Sequence, residues 1–86
     1  MEKKELISVI YKILLLFEDV QDEHSEIKEE DYLAYLSRIY IRFLGRNNSE
    51  ICDTIKGLIT TGMSLTHKQI KSSVFHMIEV IERNEG

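Results

Sequence analysis

The stretch LISVIYKILLLFEDV, residues 6–20, decides the fold of this chain. Its apolar residues recur at steps of three and four, which is the period of an α-helix. A surface helix of a monomer normally has an apolar stripe little more than about 100° wide. Tyr11, Leu15 and Leu16 extend the apolar surface well beyond such a stripe, so the helix is apolar almost all round. We therefore expect the helix to be central in the core or covered by a partner, with self-association through Tyr11, Leu15 and Leu16.

Outside this stretch, three further segments have apolar residues at helical spacing, and none has the alternating pattern of a β-strand. The chain contains no proline that would interrupt them. The predicted fold class is all-α, a compact four-helix bundle-like single domain with an acidic connection after the first helix and a frayed tail. The domain covers residues 1–86, with helices at about 3–20, 29–44, 48–61 and 66–83, the connection at 21–28 and the tail at 84–86.

The apolar residues that share one face of each helix define the predicted core. Cys52 is placed in it as a small residue on the inward face of the third helix, and Phe75 is placed at its edge. The other predicted core residues are Leu6, Val9, Ile10, Ile13, Leu14, Phe17, Val20, Tyr32, Leu33, Leu36, Ile39, Tyr40, Phe43, Ile51, Ile55, Leu58, Ile59, Ile70, Val74, Met77, Ile78 and Ile81.

The fourth helix has the clearest start signal in the chain. Thr66 and Gln69 have the spacing of a capping box, in which each side chain accepts a hydrogen bond from the other residue's backbone. Leu65 and Ile70 flank the box at the positions of a hydrophobic staple. We therefore expect this helix to begin directly after Thr66.

Two glycines are expected to end helices, and a third lies inside one. Gly45 is expected to close the second helix in the left-handed conformation, and Gly62 to stop the third. Asn47 and Glu50 have capping-box spacing at the start of the third helix. Gly57 lies within that helix at a cost of about 1 kcal/mol relative to Ala, which predicts close approach of another helix there.

Composition excludes several classes of protein. With 43% hydrophobic residues the chain is too apolar for a disordered protein, and its one cysteine cannot form a disulfide framework. No apolar run approaches the roughly 20 residues of a membrane-spanning helix. The bias toward Ile, Lys and Glu resembles the product of an AT-rich bacterial or phage genome. We expect a soluble protein of a reducing compartment, the cytoplasm.

No arrangement of residues predicts catalysis. His24, His67 and His76 lie in three different contexts, and Cys52 has no neighbouring histidine to activate it. Residues 18–31 carry eight acids and one lysine, a density that is typical of a solvated connection more than of a cation site. The sequence predicts no enzyme, no cofactor and no metal.

A row of arginines on the second helix is the more informative feature. Arg38 and Arg42 are four residues apart, with Tyr35 one turn earlier, and Arg and Tyr are enriched at protein-interface hot spots. In the alternative interpretation these arginines lie on a solvated face and pair with Asp31 or with the acidic connection. The predicted partner-binding residues are Tyr35, Arg38, Arg42 and Arg46.

These observations predict a small helical regulatory protein that acts by protein–protein binding as a homodimer, such as an inhibitor, an antitoxin or immunity protein, or a phage-type regulator. The alternative is a DNA-binding regulator in which helices three and four form a helix-turn-helix. Its reading residues are then His67, Lys68 and Lys71 at the start of the fourth helix. The net charge of −4 and the absence of a basic arm count against DNA binding.

Overall fold

A computed structural model describes residues 2–84 of the chain. These residues form four α-helices and no strand, so the all-α prediction is confirmed, and each helix end lies within one residue of its predicted position. Asn84, predicted to belong to a frayed tail, is the last residue of the fourth helix, and residues 85–86 of that tail lie outside the described range. No helix within residues 2–84 is long and apolar enough to cross a lipid bilayer. The helices are α1 (Glu2–Gln21), α2 (Glu29–Gly45), α3 (Ser49–Thr61) and α4 (His67–Asn84).

The helices form an up-down-up-down bundle. Helices that follow one another along the chain pack together, α1 also packs against α4, and the two diagonal pairs make no close backbone contact within residues 2–84. Glu18 near the end of α1 contacts His67 at the start of α4, so these helices are antiparallel. Arg46, just after α2, contacts Glu2 at the start of α1, so α1 and α2 are antiparallel as well. The short connections are those of a simple antiparallel bundle.

Each helix contributes four or five side chains to one shared core. Most predicted core residues are buried, including Cys52, whose Sγ lies 3.8 Å from the Tyr40 carbonyl oxygen. Val80 is fully buried although the sequence analysis did not place it in the core, while Ile78 is only partly buried. Val80 is covered because α4 packs against both α1 and α3, which widens its buried face beyond a single stripe.

The turn between α2 and α3 differs from the prediction. Gly45 belongs to the last turn of α2 without a positive φ, and the left-handed residue is Asn47 at φ +58°. The Asn48 N–H donates to the Phe43 carbonyl at 3.1 Å, and the Asn47 N–H donates to the Leu44 carbonyl at 3.1 Å. These two hydrogen bonds form a Schellman motif, in which asparagine can replace glycine because it tolerates the left-handed conformation.

The predicted cap of α3 is also displaced by one residue. Asn48, and not Asn47, is the N-cap, and its Oδ1 accepts a hydrogen bond from the Ile51 N–H at 3.2 Å. Glu50 does not complete a capping box, because with Asn48 as the N-cap the N3 position falls on Ile51. The Glu50 carboxylate instead lies 3.1 Å from Nε2 of His76 on α4.

The capping box of α4 is confirmed. The Thr66 N–H donates to Oε1 of Gln69 at 2.9 Å, and the Gln69 N–H donates to Oγ1 of Thr66 at 3.1 Å. Leu65 is partly buried against the core and Ile70 is fully buried, which agrees with their expected roles in a hydrophobic staple.

The two remaining glycines have different surroundings. Gly62 has φ +55° and its N–H donates to the Leu58 carbonyl at 2.9 Å, so its predicted role at the end of α3 is confirmed. A Cβ at Gly57 would meet nothing within 4 Å. The expected close approach of another helix to Gly57 is therefore wrong, and this glycine faces open space.

Candidate functional site

Two of the predicted partner-binding arginines form ion pairs with α1. Arg42 donates to Oε1 of Glu5 at 2.9 Å, and Arg46 donates to Oε1 of Glu2 at 2.5 Å. The alternative interpretation paired these arginines with Asp31 or with the acidic connection. Their partners are instead on α1, because α2 ends beside the first turn of α1. Asp31 instead accepts a hydrogen bond from the backbone at the start of its own helix. Such exposed pairs each contribute at most about 1 kcal/mol, so a partner can replace them.

Tyr35 connects α2 to α1. Its hydroxyl donates to the Val9 carbonyl at 2.6 Å, and Nζ of Lys12 lies 5.3 Å from the centre of its ring, within the range of a cation–π interaction. Burial raises the pKa of Tyr35, and the nearby Arg42 and Arg38 charges oppose this rise. Both the polar end and one face of this ring are therefore already occupied within the molecule.

Arg38 differs from Arg42 and Arg46 in its contacts. It makes no ion pair or hydrogen bond with any residue of 2–84. Ile41 and Leu44 follow at the next two turns of α2, and 68% and 54% of their surfaces are exposed, more than for any other large hydrophobic residue described. We call Arg38, Ile41 and Leu44 the α2 surface. Ile41 and Leu44 were not among the predicted partner-binding residues, although their position outside the buried stripe of Leu36, Ile39 and Phe43 was a usable signal.

The α2 surface continues into a shallow cleft at the α2–α3 turn. This cleft has a volume of about 180 Å³. Burial, and less strongly the Asp53 carboxylate, raise the pKa of the Cys52 thiol at its floor, which is opposite to the shift that activates a nucleophile. The cleft can thus receive an apolar side chain more readily than it can promote chemistry. It is lined by Leu44, Asn47, Asn48, Ser49 and Cys52.

A second group of exposed apolar side chains lies on α1 and α4. Tyr11, Leu15 and Phe75 are 41%, 45% and 47% exposed, and the Tyr11 and Phe75 ring centres are 6.5 Å apart. Leu16, also predicted to take part in self-association, is only partly exposed and packs against the core. Phe75, expected at the core edge, lies largely outside it. Two of the three predicted self-association residues, Tyr11 and Leu15, are therefore exposed on one surface, to which α4 adds the ring of Phe75.

The residues of the DNA-binding alternative have unequal surroundings. Nε2 of His67 lies 2.6 Å from Oε2 of Glu18, whereas Lys68 and Lys71 are exposed and form no ion pair within the described part of the chain. His67 therefore serves the contact between α1 and α4. The two lysines are available to an external group.

The arrangement of α3 and α4 differs from that of a helix-turn-helix. Helices in that motif cross at about 90–120°. Glu50 lies roughly 17 Å along α3 from the turn and Arg83 roughly 24 Å along α4, so a perpendicular crossing would separate them by about 29 Å. Their side chains are 3.8 Å apart. The two helices therefore form an antiparallel hairpin.

The acidic connection uses its side chains locally. Oδ1 of Asp22 accepts a hydrogen bond from the His24 N–H at 2.9 Å, and Oγ of Ser25 accepts one from the Ile27 N–H at 3.1 Å. Among residues 2–84, no three His, Cys, Asp or Glu side chains are grouped so that they could hold a metal ion. The connection is thus held by side-chain turns of its own.

Comparison with family models, with curated proteins and with solved structures finds no match to this chain. The function is therefore inferred from two groups of exposed apolar residues, the α2 surface and the group of Tyr11, Leu15 and Phe75 on α1 and α4.

Proposed function

We propose that this protein is a small, non-catalytic regulator that acts by binding another protein through the α2 surface. The observation that carries this proposal is the exposure of Ile41 and Leu44 beside Arg38, which forms no ion pair or hydrogen bond within residues 2–84. Contiguous exposed apolar side chains mark interaction sites, and arginine is enriched among the residues that dominate binding energy. An adjacent cleft offers a place for an apolar side chain of the partner.

The chemistry of this surface favours a partner with acidic residues on one side of an apolar patch. Arg38, Arg42 and Arg46 lie along one edge of α2, and the last two are held by carboxylates of α1 in the free protein. Carboxylates of a partner can bind Arg38 directly and compete for the other two. Charge complementarity of this kind increases association rate and specificity.

Inhibitors, antitoxin or immunity proteins and phage-type regulators all act by such contact, and the proposal does not distinguish among them. The homodimeric state and the cytoplasmic location expected from the sequence are part of the same proposal. DNA binding through His67, Lys68 and Lys71 is the less supported alternative, because α3 and α4 form an antiparallel hairpin and His67 contacts Glu18.

The test is affinity capture from cells that encode the protein, with matched variants. We expect the wild-type protein to recover one protein at stoichiometric yield, and Ile41→Glu and Arg38→Glu to reduce the yield about tenfold or more, as hot-spot substitutions do. Lys56→Glu, an exposed change on α3, is the matched control and should leave the yield unchanged. Equal recovery by all variants, or recovery of nucleic acid alone, would contradict the proposal.

A further inference from the structure

The exposed sides of α1 and α4 carry the same series of side chains at the same spacing. In each helix a lysine is followed seven residues later by an aromatic residue and seven residues after that by a glutamate. Seven residues are close to two helical turns, so each series follows one side of its helix. All six residues are exposed. The series are Lys4, Tyr11 and Glu18 on α1, and Lys68, Phe75 and Glu82 on α4.

The antiparallel packing of α1 and α4 places the two series side by side. The Tyr11 and Phe75 rings meet at the centre, and at one end Glu18 contacts His67, the residue before Lys68. Each charged residue lies roughly 10 Å along its helix from the central ring. We call this the α1–α4 face. It has an aromatic centre and four charged corners, whose signs alternate around the face.

The corner charges are not explained by contacts within the molecule. Lys4, Lys68 and Glu82 form no ion pair in the described range, and Glu18 is paired with His67 only. Lysines near helix starts and glutamates near helix ends also oppose the helix macrodipole, which favours the reverse arrangement by a few tenths of a kcal/mol per charge. These four charges therefore do not stabilise their own helices. They are placed to contact an external surface that has the opposite charge at each corner.

We propose that a second copy of this chain docks on the α1–α4 face, related by a two-fold axis in the plane of the interface. If the axis lies across the helices, Lys4 faces Glu18 of the second copy. If the axis lies along the helices, Lys4 faces Glu82 of the second copy. In both arrangements every lysine meets a glutamate and the aromatic rings of the two copies meet at the centre, as a self-complementary interface requires.

The side of the molecule that carries the α1–α4 face has the area of a standard interface, of which the four corners and the central rings cover the middle part. The molecule measures 38 × 22 × 20 Å, so its long side offers about 800 Å² in projection, the area that a standard interface buries on each partner. This inference rests on the self-association included in the proposed function, and it uses a surface separate from the α2 surface. Dimerisation and partner binding are therefore independent outcomes.

The first test is the molar mass in solution, by light scattering at tens of micromolar. We expect twice the 10.1 kDa mass of the chain. Tyr11→Glu and Phe75→Glu should return the mass to that of one chain, while Ile41→Glu, which places the same charge on the α2 surface, should leave the dimer intact. A wild-type monomer would overturn this inference and leave partner binding by α2 untouched, and a dimer that survives both aromatic substitutions would overturn it as well.

The second test uses charge reversal to examine the corners. Lys4→Glu with Lys68→Glu makes all four corners acidic, and Glu18→Lys with Glu82→Lys makes them all basic. Each double variant alone should dimerise about tenfold or more weakly than wild type, and an equimolar mixture should recover the dimer. A mixture that associates no better than its components would contradict the proposed face. Far-ultraviolet circular dichroism checks that each variant remains helical.

Discussion

At the residue scale, two tyrosines of α2 that are three positions apart have opposite hydrogen-bonding states. Tyr35 donates from its hydroxyl to the Val9 carbonyl, while the Tyr32 hydroxyl is buried with no hydrogen-bond partner in the described range. The Tyr32 ring packs edge-on against Phe17, with ring centres 5.7 Å apart. Tyr32 thus contributes apolar area to the core at the expense of an unsatisfied polar atom, which costs about 1–3 kcal/mol.

The first prediction compares the two hydroxyls. Tyr32→Phe should increase the free energy of unfolding by about 1 kcal/mol or more, because it removes a buried hydroxyl that forms no bond. Tyr35→Phe, the matched control, should lower it by about 0.5–1.5 kcal/mol, because it removes a formed hydrogen bond. Urea denaturation of the two variants measures both changes. A Tyr32→Phe variant that is the more destabilised of the pair would contradict the unsatisfied state of the Tyr32 hydroxyl.

The second prediction concerns alkaline pH. Burial raises the pKa of Tyr32 from 10.0 to about 12. Between these values the unfolded chain releases the proton and the folded chain keeps it, so the unfolded state is favoured. Below pH 10.0 the Tyr32 hydroxyl is protonated in both states, so the free energy of unfolding keeps its full value there. It falls as the pH rises toward about 12. Urea denaturation over this range should show a smaller loss for Tyr32→Phe than for wild type, and equal losses would contradict the assignment.

At the element scale, the helices could be predicted from sequence because their signals are local. The capping box of Thr66 and the apolar period place helix ends within one residue of those observed. The α2–α3 turn could not be predicted as well, because Asn47 and Asn48 are both good capping residues. Only the turn as folded decides which of them is left-handed and which is the cap. No local sequence pattern shows whether another helix approaches Gly57 or leaves it in open space.

The third prediction follows from the glycines of α3. Gly57→Ala should stabilise the protein by about 0.5–1 kcal/mol, since a helical glycine in open space gains from a side chain. Gly62→Ala should destabilise it by about 1–3 kcal/mol, because φ +55° with ψ −128° is a conformation that favours glycine and the new Cβ would lie 2.9 Å from Oε2 of Glu29. Thermal unfolding measures both variants. A destabilising Gly57→Ala would contradict the open surroundings of that residue.

At the scale of the whole molecule, the bundle buries one face of each helix and leaves two groups of large apolar side chains outside. Tyr11 and Leu15 could be predicted from sequence, because α1 is apolar beyond any single buried stripe. The exposure of Ile41 and Leu44 could also be predicted, because both lie outside the apolar stripe of α2. The exposure of Phe75 could not, since it depends on which neighbour covers α4. The ion-pair partners of Arg42 and Arg46 could not be predicted from local sequence patterns either, because an ion pair between α2 and α1 depends on how the helices pack.

Photo-cross-linking in the cells that encode the protein examines the proposed contact between the α2 surface and a protein partner. A photoreactive amino acid is placed at Ile41, at the control position Lys56, or at Lys68. We expect one discrete adduct from position 41 that protease digests and nuclease leaves intact, and no adduct from position 56. An adduct with nucleic acid from position 68, together with none from position 41, would contradict it.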